Sequence, residues 1–181
     1  KFVGFLMGRT PIAGFDQSNG HGRRSTGNAP TSRMGNTIIS STQSAPLADL
    51  RVMLVNEARE QGLEYGLMVD QIDGGFTTTG RTKPNAFSVR AVKSRIFVDG
   101  RPDEVIRGID LIGTPLLAFQ DILATSTERS VFNGVCGAES GWVPVSAVSP
   151  AILVRTLETQ RKEKGIEQPH ILAKPHVGGD L

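Results

Sequence analysis

Cysteine is almost absent from this sequence of 181 residues, in which Cys136 is the single one. One thiol excludes an internal disulfide, and with it the small secreted domains that disulfides hold together. The sequence also lacks an apolar run near the ~20 residues of a membrane span, and no signal-peptide pattern opens it. These absences predict a cytoplasmic protein with no membrane partner.

The sequence also lacks a large excess of one charge and lacks histidines at the spacing of a zinc-binding pair. The formal net charge is +2, and a nucleic-acid partner is not predicted because such a protein gathers positive charge on one face. His21, His170 and His176 do not show the i, i+4 spacing with which a helix presents two zinc ligands. Each histidine is interpreted as a solvated surface residue.

Aromatic residues make up only 6%, whereas 21 glycines and 10 prolines are present. Glycine and proline interrupt helices and build turns, so this balance favours short strands over a helical bundle. The length suits one compact domain. We predict an α+β fold: a mainly antiparallel, partly barrel-like β-sheet with two helices.

The pattern of apolar residues places these elements. One helix is predicted at 46–61, with Gly62 as its stop, and a second begins at Thr114-Pro115 and continues through Leu123. Asp73-Gly74-Gly75 is typical of a turn. Strands are predicted at 1–8, 37–40, 66–69, 87–93, 95–98, 105–109, 128–135, 142–148 and 151–154.

Two features concern the ends of the chain. The opening, Lys1 to Leu6, resembles the middle of a strand, which predicts that the sequence is part of a longer polypeptide. Residues 1–157 are predicted to form the domain. Residues 158–181 are charged and contain proline and glycine, which predicts a mobile tail.

Cys136 is the first candidate for chemistry, in the segment Asn133-Gly134-Val135-Cys136-Gly137. Glycines on both sides would let the backbone turn sharply and leave space around the sulfur for a metal or a substrate. The alternative is a small buried hydrophobic residue beside a turn, because free cysteine is among the most buried residue types. Composition alone favours the buried thiol.

Two further groups have rival interpretations. Ser140 lacks the Gly-x-Ser-x-Gly pattern of a nucleophile elbow, so it is not predicted to be a nucleophile. Arg23, Arg24 and Arg33 could bind an anion or a partner carboxylate, or lie in a solvated loop that forms interdomain salt bridges. Trp142 is interpreted as a packing anchor.

Several segments together resemble the TldD/PmbA family, in the same order along the chain. The Pro30–Thr37 segment is similar to that family's PRMxNT signature, and the similarity extends to about Arg161. The similar segments are Gly22–Ser25, Pro30–Thr37, Gly74-Gly75, the strands ending at Asp99-Gly100, Gly134–Gly137 and Val143–Ser146.

This resemblance implies a C-terminal domain of a zinc metallopeptidase whose site lies between two halves. In TldD-type members, a preceding His-Glu-x-x-x-His helix supplies two zinc ligands and a catalytic Glu, and the cysteine matching Cys136 supplies a third. The resemblance therefore implies Cys136 as a metal ligand. Gly74, Gly75, Gly134, Val135 and Gly137 are the expected substrate-binding residues.

This sequence has no His-Glu-x-x-x-His segment, so no catalytic residue is assigned to it and the isolated chain is expected to be inactive. The expected partners are the N-terminal part of the same protein, a second copy or a PmbA-like subunit, and flexible or unfolded peptides as substrates. The alternative is a non-catalytic PmbA-like scaffold subunit, or a modulator that binds a protein through the arginine loop.

Overall fold

The computed structural model describes residues 3–78 and 85–161. In these ranges it has two helices and ten strands, and the predicted α+β class is confirmed. The elements are β1 Gly22–Arg23, β2 Thr31–Ser32, β3 Asn36–Ile38, α1 Leu47–Glu60, β4 Tyr65–Thr78, β5 Ala86–Phe97, β6 Glu104–Ile106, β7 Ile109–Gly113, α2 Pro115–Gln120, β8 Ile122–Ala138, β9 Gly141–Val154 and β10 Glu158–Arg161.

The strands form three sheets, of which the larger two determine the architecture. One has the order β10-β7-β5-β4, with β6 also paired to β5, and the other has the order β3-β9-β8. All pairs are antiparallel except β3 with β9. Over the described ranges neither sheet closes on itself, so the barrel-like part of the prediction is not found.

Helix α1 joins the two large sheets, because it contacts β4 of one and β8 and β9 of the other. Its predicted apolar face is only partly covered: Leu50 and Ala58 are buried, whereas Leu47 is exposed. Leu54 packs against Gly66 of β4, where an added Cβ would lie 2.6 Å from the Leu54 Cγ. The helix thus needs a glycine opposite it on the strand.

The pairing of β8 with β9 is interrupted where the chain enters α1. The register shifts between Thr125 and Arg129, and Thr125 and Thr127 bond to Ala45 just before α1. The Ala45 N–H donates to the Thr125 carbonyl (3.0 Å), and the Thr127 N–H donates to the Ala45 carbonyl (2.9 Å). Beyond this bulge, residues 129–138 continue as a long hairpin with β9.

The centre of the larger sheet differs in detail from the predicted meander. Residues 87–93 and 95–98 were expected to be two strands, but β5 runs unbroken from Ala86 to Phe97. The single strand expected at 105–109 is divided into β6 and β7, which pair with successive parts of β5. The break falls at Gly108, whose φ of 77° is readily adopted only by glycine.

Gly74 and Gly75 do not form the predicted turn, because β4 continues through them. The register shifts between Ile72 and Gly74, and Gly74 has φ 125°, as in a β-bulge. A Cβ on Gly75 would lie 2.4 Å from the Ser88 carbonyl oxygen. The two glycines allow a bulge and a close approach to β5 within a strand.

The described part of the opening segment, residues 3–8, is not the predicted strand. Side-chain bonds replace a strand partner there: the Met7 N–H donates to Asn19 Oδ1 (2.7 Å), and Asn19 Nδ2 donates to the Phe5 carbonyl (2.8 Å). The second helix ends at Gln120, because residues 122 and 123 begin β8.

The predicted tail begins with an ordered strand. Glu158–Arg161 forms β10, which pairs with β7, and residues 162–181 lie outside the described part of the chain. No helix in the described ranges is long and apolar enough to cross a membrane.

Candidate functional site

The β8–β9 hairpin carries the candidate site near its tip. Regular pairing runs from Arg129 opposite Pro150 to Ala138 opposite Gly141. Gly141 has φ 88°, and a Cβ there would lie 1.9 Å from the Ser25 Oγ. The tip is therefore both tightly turned and covered by the loop that contains Ser25.

Cys136 lies two residues before the end of β8 and pairs with Val143. Directly opposed residues of antiparallel strands share a face of the sheet. Val143 is 2% exposed, whereas Cys136 is half-buried. The thiol is thus at the boundary between the packed part of this face and solvent, and it is neither the fully buried hydrophobic residue nor a freely solvated side chain.

The glycines that flank Cys136 act differently from the sequence interpretation. Gly134 and Gly137 lie within an extended strand and have no positive φ, so they make no sharp turn. A Cβ at Gly134 would lie 2.7 Å from the Phe132 ring, and one at Gly137 would lie 2.9 Å from the Trp142 ring. The absent side chains make room for aromatic rings that cover the strand.

Arg33 connects the loop before β3 to the hairpin tip. Its side chain is buried, with a relative exposure of 5%. Nη1 donates to Ser140 Oγ (2.7 Å) and to the Gly141 carbonyl (2.9 Å), and Nη2 donates to the Cys136 carbonyl (2.5 Å). One guanidinium therefore binds both strands of the hairpin and the turn between them.

Arg23 and Arg24 also bond to carbonyl oxygens. Arg23 donates to Met34 and Pro144 (2.6 Å each), and Arg24 donates to Asn28 (2.9 Å). Arg23 and Arg33 thus hold the loop against the hairpin, and Arg24 bonds within the loop, which neither rival interpretation foresaw. Ser140 is 1% exposed and its Oγ accepts the Arg33 bond, and that it is not a nucleophile stays a prediction.

The chain's own donors bear on the implied metal. Within 3–78 and 85–161, no group of three or more His, Cys, Asp or Glu side chains is placed to hold a metal ion. His21 Nδ1 is 2.8 Å from Asn19 Oδ1, and His170 and His176 lie outside the described residues. A half-buried thiol suits one soft ligand of a zinc centre, so Cys136 fits as a contributor to such a site.

The predicted substrate-binding residues fall into two groups. Gly134, Val135 and Gly137 share β8 with Cys136, whereas Gly74 and Gly75 lie on β4 in the other large sheet. Val135 is 63% exposed. Substrate binding by any of these residues stays a prediction.

Arg33 is the site residue whose role sequence reasoning missed. The signature segment singled it out, but its bonding partners follow more than 100 positions later. Two of the three are backbone carbonyls, which every residue has. Sequence alone therefore gives no signal for these bonds beyond the presence of an arginine in an ordered motif.

Two comparisons with known proteins complete the description. A search of curated proteins gave no match. The family model described as the PmbA/TldA metallopeptidase C-terminal domain matches residues 2–161, which extend from the opening segment through β10. The resemblance shown by the ordered segments is confirmed. The chain belongs to the PmbA/TldA metallopeptidase family, and residues 2–161 correspond to the C-terminal domain of that family.

Proposed function

We propose that this domain contributes Cys136 as a thiolate ligand to the zinc centre of a peptidase that acts on flexible or unfolded peptides. The supporting observation is the placement of Cys136, half-buried near the tip of a hairpin that buried side chains hold in position. Zinc, when bound, would supply the Lewis acid that activates water for peptide hydrolysis. His-Glu-x-x-x-His ligands on other sequence would complete the centre.

The hairpin also offers a place for a peptide backbone. Strand β8 is the outer strand of its sheet, with β9 on one side and, along 129–138, no strand of the described ranges on the other. A strand edge presents unpaired N–H and C=O groups that an extended peptide can bond, largely independently of its side chains. We therefore assign part of the substrate cleft to the edge beside Val135 and Cys136.

The zinc content of the longer protein that contains this domain tests the ligand role. We expect Cys136→Ala to lower zinc stoichiometry and peptidase activity together, because one of three protein ligands is lost. Val131→Ala is the matched control, since Val131 is a 64% exposed residue of the same strand. Unchanged zinc content in the Cys136→Ala protein would contradict the proposal.

A scaffold or partner subunit is the second candidate function, and the exposed side chains of α2 favour it. Leu116, Leu117 and Phe119 are 77%, 63% and 60% exposed. An apolar surface of this kind is typical of a contact with other protein. The zinc measurement separates the two functions, because a scaffold would bind no more zinc with Cys136 than without it.

A further inference from the structure

We propose that Arg33 is a positioning residue for Cys136: its guanidinium fixes the hairpin tip and so the direction in which the thiol projects. The part of this inference that concerns zinc binding rests on the proposed function. Its geometric part, that Arg33 controls the exposure and orientation of the thiol, stands on the contacts of this chain alone.

Arg33 bonds to the hairpin tip at three separate points. Arg33 reaches Cys136 on β8, Gly141 on β9 and Ser140 in the turn. Its own N–H donates to the His21 carbonyl (2.9 Å). The side chain is therefore anchored at its base, and its planar head ties three points of the hairpin tip together.

Burial of the Arg33 charge limits which side chain can occupy this position. Among the described residues Arg33 forms no ion pair, although it is almost fully buried. A buried cation is costly unless its donors are well bonded, and here the acceptors are two carbonyls and a hydroxyl. The fixed fork of a guanidinium suits separated acceptors, whereas a lysine ammonium is a compact point donor that cannot span them. The geometry thus requires arginine rather than any cation.

The bond to the Cys136 carbonyl affects the thiol through the local backbone. The Cys136 carbonyl belongs to the peptide plane that follows the residue, so a bond to it restricts the local backbone and the direction of Cα–Cβ. Groups that orient a metal ligand from outside the ligand sphere typically change metal affinity 10- to 100-fold when removed. We expect an effect of about that size for Arg33.

Arg23 provides a matched comparison. It also joins two carbonyls, those of Met34 and Pro144, and so ties the same loop to β9. Both of these acceptors lie outside residues 136–141. Arg23→Met should therefore weaken loop attachment without releasing the Cys136 carbonyl.

The experiment compares Arg33→Met, Arg33→Lys, Ser140→Ala and Arg23→Met with the unaltered protein. In this chain Cys136 is the only thiol, so its reaction rate with a chromogenic disulfide reports its exposure without any metal. In the longer protein that carries the remaining ligands, zinc affinity is measured by competition with a zinc-binding dye. Thermal unfolding midpoints (Tm) of all variants are recorded beside both readouts.

We expect Arg33→Met to raise the thiol reaction rate several-fold and to weaken zinc binding about 10- to 100-fold. Arg33→Lys should change the thiol reaction rate and the zinc affinity much as Arg33→Met does. Ser140→Ala should change both in the same direction but by less. Arg23→Met should leave both readouts near those of the unaltered protein, even where it lowers the Tm as much. If Arg33→Met does not fold, Arg33→Lys and Ser140→Ala decide the question.

Two results would overturn the inference. One is thiol reactivity in the Arg33 and Ser140 variants equal to that of the unaltered protein or of Arg23→Met. The other is unchanged zinc affinity in the Arg33 variants of a protein that loses zinc with Cys136→Ala. If Cys136→Ala itself retains zinc while Arg33→Met still raises thiol reactivity, the proposed function fails but the positioning role of Arg33 stands.

Discussion

Burial disfavours the charged form of Lys93, whereas its hydrogen bonds favour that form. It lies within β5 and is 1% exposed. Its Nζ donates to the Ala91 carbonyl (3.1 Å) and to the Ile109 carbonyl, next to the break between β6 and β7. Burial lowers the pKa of Lys93, and the nearby Asp110 carboxylate partly opposes this. The ammonium thus supplies donors where the sheet is interrupted, against a desolvation cost.

The lowered pKa of Lys93 predicts a stability change at alkaline pH. Between the folded pKa and the unfolded value of about 10.4, the unfolded chain binds more protons, so stability rises with pH in that window. Below the folded pKa both states are protonated and the destabilisation is complete. We expect the Tm of the unaltered protein, minus that of Lys93→Met, to increase as pH rises through this window.

Thermal unfolding from pH about 7 to about 10.4 measures this difference. Arg90→Met, on the same strand, is the control, because arginine stays charged throughout. A Tm difference that stays constant with pH for Lys93→Met would refute the prediction.

The roles of Cys136 and Arg33 could be predicted from the sequence only in part. Composition favoured a buried thiol for Cys136, and the family resemblance, not spacing, implied its role as a ligand. The structure places it half-buried, between those interpretations. Arg33 could not have been assigned, because carbonyl acceptors brought close by folding leave no sequence pattern.

Helix α1 shows how one element depends on another distant in sequence. The first helical N–H groups have no partner within the helix. Both carboxylate oxygens of Glu128 accept from the Leu47 N–H, at 3.2 and 3.0 Å. Glu128 lies in the β8 bulge, so this strand irregularity provides the N-terminal cap that Pro46 cannot.

Glu128→Gln should lower the Tm by a few degrees at neutral pH. Hydrogen bonds from its own backbone N–H, from the Leu47 N–H and from the Thr127 hydroxyl lower the pKa of Glu128. A lowered folded pKa gives stability that is present above the unfolded value of about 4.3 and is lost as pH falls through the folded pKa. The Tm difference between Glu128→Gln and the unaltered protein should therefore shrink on acidification.

Melting curves at neutral and acidic pH test this cap. Glu60→Gln is the matched control, because Glu60 ends the same helix at the end where the helix dipole does not favour a carboxylate. If Glu60→Gln destabilised the protein as much as Glu128→Gln, the role of Glu128 as the cap would be rejected.

Elements were predictable where a periodic pattern was long. The boundaries of α1 were predicted within one residue, since Leu50, Leu54 and Ala58 repeat at helical spacing. The glycine pair 74–75 was predicted wrongly, because glycine marks a turn and a bulge alike and only the partner strand distinguishes them. The strand prediction for the opening segment was wrong for a related reason: the backbone at Phe5 and Met7 bonds to the side chain of Asn19 and not to a neighbouring strand.

At the scale of the whole molecule, much apolar surface lies away from the core. Trp142, Phe132 and Val135 of the hairpin are 69%, 52% and 63% exposed, and the apolar residues of α2 are similarly uncovered. Phe132 lies on the same face of β8 as Cys136, so exposed apolar surface continues along the thiol's side of the hairpin, whereas Val135 and Trp142 lie on the other face. This arrangement supports the proposal that the site is completed by other protein.

The last prediction concerns the 181-residue chain alone. We expect it to bind zinc weakly and to cleave no peptide, because a single thiolate leaves the metal without the three protein ligands of a catalytic zinc site. Zinc titration and hydrolysis of an unstructured peptide measure both properties, with Cys136→Ala as the control. Zinc-dependent cleavage by the chain that disappears in Cys136→Ala would show that the domain holds a complete centre. Adding the His-Glu-x-x-x-His portion of the protein should instead produce tight zinc binding and activity together, since each part would supply ligands that the other lacks.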